Sequence, residues 1–285
     1  MLSTSIPGSS LATRTFLEAL SVPVEHRGPA PATVLLAAHP DDEVIGAGGQ
    51  LEWLAPVLSL AHLTPGIPVA LDEEQRAAYL SPQVYGACRA RELDAALDLA
   101  HIAPDQRHRL SGADQRCARM LVHLTWELRD LLDRLAPDLL LTHPYEGGHP
   151  DHDAAAFIAQ SACRLLPSPP ARLEFLSYHS CQGRFECASF LPNGDTGIRA
   201  HLGARERAFK RGLMAVYASQ TRVLAQFTPD IERVRVAPDY DFGKPPHAPP
   251  LHYEQYPWGT DGRTFRALAG EAAVALERLA ETACR

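Results

Sequence analysis

An α/β fold, a mainly parallel sheet with helices on both faces, is predicted by three observations. Short apolar segments alternate with longer segments of helical periodicity through most of the 285 residues. Two of the short segments, TVLLAA (33–38) and DLLLTH (138–143), are nearly continuous apolar runs, which read as buried strands. Each leads into a polar cluster built on His-Pro-Asp and then a helix: HPDD at 39–42 and HPDH at 149–152. Strand, polar loop, helix is the order that delivers side chains to the carboxyl ends of strands in a Rossmann-like sheet, where ligands collect.

The elements follow in order. Residues 11–20 read as a lead-in helix. After strand 33–38, EVIGAGGQLEWLA (43–55) is helix-like, with small residues that permit close packing on a sheet. VLSLAHL (57–63) is a second strand, broken by TPGIP. Helical spacing of Val84, Ala87, Cys88, Leu93, Ala96 and Leu97 predicts a helix over 84–100. A long amphipathic helix over 116–136 is stopped by Pro137, and strand 138–143 follows. Then come helix 151–166, strand 172–179, helix 204–220, strand 233–238, a Pro-rich irregular stretch (238–250) and a final helix over 264–283. With no internal repeat, low-complexity tract or clear linker, residues 1–285 are expected to form one domain.

Composition bounds the function. A net charge of −7 argues against broad, phosphate-driven nucleic-acid binding, and leaves small substrates open. No apolar run approaches the roughly 18–20 residues that span a bilayer. The start, MLSTSIPGSSLATRTF, lacks the basic and continuous apolar parts of a signal peptide. Six cysteines (88, 117, 163, 181, 187, 284) are scattered without a CxxC pair, so a reduced, cytoplasmic protein is expected. The oligomeric state is not set, and a homo-oligomer is compatible with the sequence.

The repeated cluster has a chemical reading: each copy supplies half of one site. Pro40 and Pro150 suit the first turn of a helix. Asp41 and Asp42 are adjacent and point in different directions, so one can bind a metal while the other faces its open side. His152 lies in a first helical turn, where the dipole disfavours imidazolium and leaves the ring free for a metal. Two histidines and one carboxylate leave a coordination position open, as in a catalytic zinc site. The second aspartate and His149 are then left to move protons. One HPD alone is explained by a turn with a helix cap. Two of them, at two strand ends and with more side chains than caps need, are not. His143 is read as a hydrogen-bonded residue that shapes its loop. The remaining histidines do not cluster and are read as structural or surface residues.

AHPDDE followed by a small-residue helix, with HPDH about one hundred residues later, resembles the PIG-L/LmbE-like family of zinc-dependent de-N-acetylases. HLTPGIP (62–68), YGACRARELDAAL (85–97) and THPYEGGHPDHDAAAF (142–157) extend the resemblance over most of residues 31–220 and leave 221–285 as a C-terminal extension. The resemblance implies hydrolysis of the amide of an N-acyl amino-sugar conjugate, such as one of N-acetylglucosamine. It makes His39, Asp42 and His152 ligands of Zn²⁺, other divalent metals such as Fe²⁺ being compatible. It makes Asp41 the general base, His149 the acid or carbonyl-polarising group, and Asp151 the residue that orients His149. Arg89 becomes a substrate contact that could be removed at little cost in stability, the other reading being a surface arginine paired with Glu92. Pro65 stands where the family often has Asp, which bears on substrate identity. Segments 64–82 and 181–200 are the expected specificity loops. Two other readings compete. A non-haem Fe(II) oxygenase could use His39, Asp41 and a distant histidine as its facial triad, but that motif usually sits on a β-rich double-sheet barrel. A non-catalytic sugar-binding module would need none of the proton-transfer groups.

Overall fold

The computed structural model describes residues 10–192 and 195–283; residues 1–9, 193–194 and 284–285, Cys284 among them, lie outside the described residues. Nine strands are present among them: β1 (Thr33–Ala37), β2 (Leu58–His62), β3 (Arg107–Arg109), β4 (Leu139–Thr142), β5 (Ala171–Phe175), β6 (His179–Cys181), β7 (Arg184–Glu186), β8 (Ile198–Arg199) and β9 (Arg233–Val236). Seven form one sheet in the order β3-β2-β1-β4-β5-β9-β8, and β6 and β7 form a separate hairpin. The first five strands of the sheet run parallel, while β9 is antiparallel to β5 and β8. The fold is α/β, as the alternation predicts.

Burial on both faces explains the apolar runs. Along β1, Leu35 and Ala37 join the core on one face, and Val34 and Leu36 join the core on the other. Helices Leu121–Leu135, Pro150–Arg164 and Gly262–Ala283 contribute to the second core, and helices Leu11–Leu20, Pro82–Leu99 and Ala204–Val216 to the first. Helix Asp42–Ala47 lies so close to the sheet that a Cβ at Gly46 would stand 2.2 Å from Phe175 Cδ2. The small residues of that segment are therefore needed for the approach.

Three elements end earlier than the periodicity suggests, each for a tertiary reason. The helix expected over 43–55 is two short pieces, Asp42–Ala47 and Leu51–Leu54, because the Gly49 N–H donates to Glu232 Oε1 at 2.7 Å instead of continuing the helix. The strand expected over 172–179 stops at Phe175, and Ser177 turns in to meet His152 at 3.1 Å. Helix 204–220 ends at Val216, and the buried Tyr217 hydroxyl donates to Glu43. Strands β3, β6, β7 and β8 and helix Glu73–Ala78 are short and amphipathic or polar, and the apolar pattern does not reveal them.

Strand β1 pairs with β2 on one side and β4 on the other, so the chain changes direction across the sheet between β1 and β4. A crevice opens at such a switch point. The register aligns Leu35 with Leu141, which brings the ends of the two strands level. The Ala38 N–H then donates to His143 Nε2 at 3.1 Å, and the Thr142 hydroxyl to the Leu36 carbonyl at 3.1 Å. The two HPD clusters are thus held side by side.

Candidate active site

HPDD leaves β1 and opens helix Asp42–Ala47; HPDH leaves β4 through the THPYEGG loop and opens helix Pro150–Arg164. His39, Asp42, His143, His149, Asp151 and His152 all converge on the crevice, and Asp114 joins them from the loop before helix Leu121–Leu135. Three overlapping groups of these residues have donor atoms close enough to hold a metal: His39, His149 and His152; His39, Asp114, His149 and Asp151; and Asp42, His143 and His152.

Hydrogen-bond accounting separates them. A neutral imidazole has one N–H and one lone pair. His149 is the N-cap of its own helix, and its Nδ1 accepts the Asp151 N–H at 3.1 Å. Its proton therefore sits on Nε2, which becomes a donor. His143 Nε2 accepts the Ala38 N–H, so its proton sits on Nδ1. Burial pushes both imidazoles well below the usual range, with the neighbouring His39 and His152 adding to the effect, and both stay neutral. Neither ring has a lone pair to spare.

His39 and His152 are arranged in the opposite way. His39 Nε2 faces Asp151 Oδ2 and Asp114 Oδ1, both at 3.2 Å, and both can only accept. Its N–H is used there, which leaves the Nδ1 lone pair toward Asp42 Oδ2 at 3.2 Å. His152 Nδ1 reaches the Ser177 hydroxyl at 3.1 Å, and its Nε2 lies 3.2 Å from Asp42 Oδ1. Both rings thus meet the Asp42 carboxylate with one nitrogen and hold an oxygen partner with the other, the pattern of metal-bound histidines. Burial opposes the charge on Asp42, but His152, His143 and His39 outweigh it and hold the carboxyl well below its usual range. A divalent cation fits this donor set.

Asp41 points elsewhere. Its backbone has φ 115°, unusual for a non-glycine residue. Two buried groups hold it there. The Asp41 N–H donates to Glu43 Oε2 at 3.0 Å, and Glu43 in turn takes the Tyr217 hydroxyl and meets His62 Nε2 at 3.1 Å. The side chain accepts from both terminal nitrogens of Arg89 at 3.3 Å, while Arg89 also donates to the Pro40 carbonyl. Burial pushes the Asp41 carboxyl up to about 7, against the pull of Arg89 and with Asp42 and Glu43 adding to the rise. A cation bound beside it would lower it again.

One expected partnership, Asp151 with His149, and the alternative reading of Arg89 both differ from the contacts found. Asp151 lies 3.9 Å from His149 Nδ1, beyond hydrogen-bond reach, and its carboxylate instead takes the Gln115 and Cys117 N–H groups and His39 Nε2. It orients His39, because the helix N-cap bond already uses His149 Nδ1. Arg89 is 2% exposed and bound to Asp41, so it is not a surface residue paired with Glu92. Glu92 accepts from Ser219 instead. Arg89 also lines the cavity beside the site.

That cavity has a volume of about 740 Å³ and reaches from His39, Asp41 and His149 to the outer loops. Of the expected specificity loops, 64–82 forms one wall, whereas 181–200 contributes Phe185; Pro65 is exposed and does not line it. Residues 220–227 and 252–259 line it as well, together with Tyr85, 114–116 and Tyr178. Segments 220–227 and 252–259 carry no motif, so periodicity and spacing had no means of placing them there. Glu43 was legible inside AHPDDE, but its hold on the Asp41 backbone is a tertiary fact.

Fold and site together define an α/β protein with a His/Asp cluster able to hold a metal at the carboxyl ends of its strands. Residues 34–163, the segment that carries both HPD clusters, match the family model described as PIG-L, GlcNAc-PI de-N-acetylase. Solved structures share the fold. The zinc-inhibited form of teicoplanin deacetylase Orf2 is 17% identical, with 73% of this chain and 100% of that one covered and a TM-score of 0.52. The N,N'-diacetylchitobiose deacetylase of Pyrococcus horikoshii is 19% identical over 81% of this chain and 94% of its own, with a TM-score of 0.52. GalB, the 4-carboxy-2-hydroxymuconate hydratase of Pseudomonas putida, is 17% identical over 73% and 99%, with a TM-score of 0.50. No curated protein matches the chain by sequence. Because the fold also serves a hydratase, the reaction has to be argued from the side chains.

Proposed function

We propose that this protein is a metal-dependent hydrolase that removes an acyl group from the nitrogen of an amino-sugar conjugate. The observation that carries the reading is the assignment of lone pairs at the switch point. His39 Nδ1 and His152 Nε2 converge on the Asp42 carboxylate, while His143 and His149 are each spent on a backbone N–H. His39, Asp42 and His152 would hold a divalent metal, Zn²⁺ by donor type, which supplies positive charge to acidify a water and polarise the acyl carbonyl.

The chain's own groups do the rest. Asp41, next to the ligand carboxylate but turned from it, takes a proton from the attacking water. Arg89 and Glu43 keep it from swinging onto the metal by fixing its side chain and its backbone separately. The neutral His149 ring presents its Nε2 proton to the acyl oxygen as negative charge develops there. The water oxygen adds to the acyl carbon, the C–N bond breaks, the amine leaves with a proton, and a carboxylate remains. The oxygenase alternative loses its structural setting, since the sheet is a mainly parallel α/β sheet and not a double-sheet barrel. No helix of the described residues is long and apolar enough to cross a membrane.

The test is a mass-spectrometric screen of the zinc-loaded protein against N-acetylglucosamine conjugates, with the Asp41→Asn protein as control. The expected result is a free amine and acetate from at least one conjugate, abolished in the control. Release that is equal in the control, or no release from any conjugate by metal-loaded protein, overturns the reading.

A further inference from the structure

The deacylase reading uses the floor of the cavity and leaves one wall unexplained. The C-terminal extension is anchored against the loop that carries the second cluster. The His252 N–H donates to the Gly147 carbonyl at 2.9 Å, and Gly147 has φ 71° with Leu251 packed where its Cβ would be. From that anchor a line of rings runs outward from the site. His149 lies 4.5 Å from Trp258 between ring centroids, and Trp258 stacks on Tyr256 at 4.4 Å and 9°. His252 is 5.4 Å from Tyr256 and 5.4 Å from both Tyr178 and Phe185.

Two features show what the wall is suited to hold. Of the charged cavity-lining residues, Asp41, Asp42, Arg89 and Asp114 lie at the floor and Asp72, Arg76, Arg116 and Arg222 come from other segments of the lining, whereas the wall of Tyr178, Phe185, His252, Tyr256 and Trp258 is built of aromatic rings without a carboxylate, lysine or arginine among them. The cavity, about 740 Å³, lies in the upper part of the range that encloses drug-sized ligands, well beyond the need of one amino sugar. Tyr256 is 43% exposed although it is stacked on Trp258, which leaves a large ring face open beside the site. Apolar area removed from water is the term such a face can contribute to binding.

We propose that this wall binds an apolar or aromatic group carried by the substrate, which makes the substrate class hydrophobically substituted N-acyl amino sugars. The inference rests on the deacylase reading. The group can be the aglycone or the acyl chain, since both leave the reacting amide at the floor.

The experiment measures binding by calorimetry to zinc-loaded, full-length Asp41→Asn protein, in which turnover is blocked. Three ligands are compared: the methyl and hexyl glycosides of N-acetylglucosamine, and the methyl glycoside of N-hexanoylglucosamine. The expected result is that one hexyl-bearing ligand binds at least about tenfold tighter than the methyl acetyl ligand, and which one identifies the group. Adding Trp258→Ala or Tyr256→Ala should bring that ratio toward one; Tyr256 is exposed enough that its removal does not threaten the fold. Equal affinity for all three ligands, or a preference that survives both substitutions, overturns the proposal. Equal loss of affinity for all three ligands also does so, because the wall would then stack on the sugar itself. Wild-type protein that binds the hexyl ligand with this preference but hydrolyses none of the amides refutes the deacylase reading and not the wall.

Discussion

Arg89 lies beneath Asp41 and reaches its Oδ2 with both terminal guanidinium nitrogens at 3.3 Å. The pair is buried, so the arginine is worth more to the chain than a rim contact to substrate would be. Removing one partner of a buried pair strands the other, at a cost of roughly 3–5 kcal/mol. Arg89→Ala is therefore expected to lower the urea midpoint strongly and to reduce kcat by freeing Asp41, with Arg89→Lys intermediate in both. An unchanged midpoint would show that the carboxylate is held by other groups.

The adjacent aspartates are expected to fail in different ways. Asp41→Asn keeps shape and hydrogen bonding but cannot take a proton, so metal content persists while kcat falls by roughly 10²–10⁴. Asp42→Asn removes the charge shared by His39 and His152 and weakens metal binding. Metal analysis after dialysis, paired with rates, separates the two. If the metal is lost from the Asp41 variant and kept by the Asp42 variant, the roles are exchanged.

Glu43 never needs to touch substrate to matter. Its carboxylate accepts from the Asp41 backbone and from Tyr217 and meets His62. Glu43→Gln can keep its oxygen on the Asp41 N–H but turns an NH2 toward Tyr217, whose hydroxyl has then to accept, and it removes the charge that favours the Asp41 and Tyr217 donors. The expected signature is lower kcat with metal content intact, and Tyr217→Phe giving a smaller effect. A fall in KM alone, with kcat at the wild-type value, would remove Glu43 from the positioning of Asp41.

Gly46 tests the packing that sets the site above the sheet. A Cβ there would overlap Phe175, with three ring atoms within 2.8 Å. Gly46→Ala is expected to destabilise by about 1–3 kcal/mol or more, as overpacking does. Phe175→Leu in the same chain should recover part of the loss. Additive destabilisation in the double variant would mean that the strain is relieved elsewhere.

Chelation checks how far the site and the fold depend on each other. Two apolar cores flank the sheet independently of the donor cluster. Removing the metal is expected to abolish activity, leave helical circular dichroism in place, and lower Tm only by the lost binding, about 4 kcal/mol at a thousand times Kd. Gross loss of helix on chelation would show that the donors hold the fold.

What the sequence determined by itself was local. Alternation of apolar runs and helical periodicity settled the α/β class, because both periods are written in neighbouring residues. His39, Asp42, His149 and His152 were legible because each HPD cluster follows its own strand, and parallel strands put such ends on one side. The tertiary structure alone decided which lone pairs are free. His143 and His149 each spend a ring lone pair on one backbone N–H, and the first of these comes from a residue 105 positions away. It likewise set Asp151 against His39 rather than His149, and gave Arg89, which lines the cavity, Asp41 as its buried partner. The aromatic wall from residues 252–259 belongs to the same group. A hydrogen bond or a ring contact between distant segments depends on where the chain brings them, and composition and spacing carry no record of that.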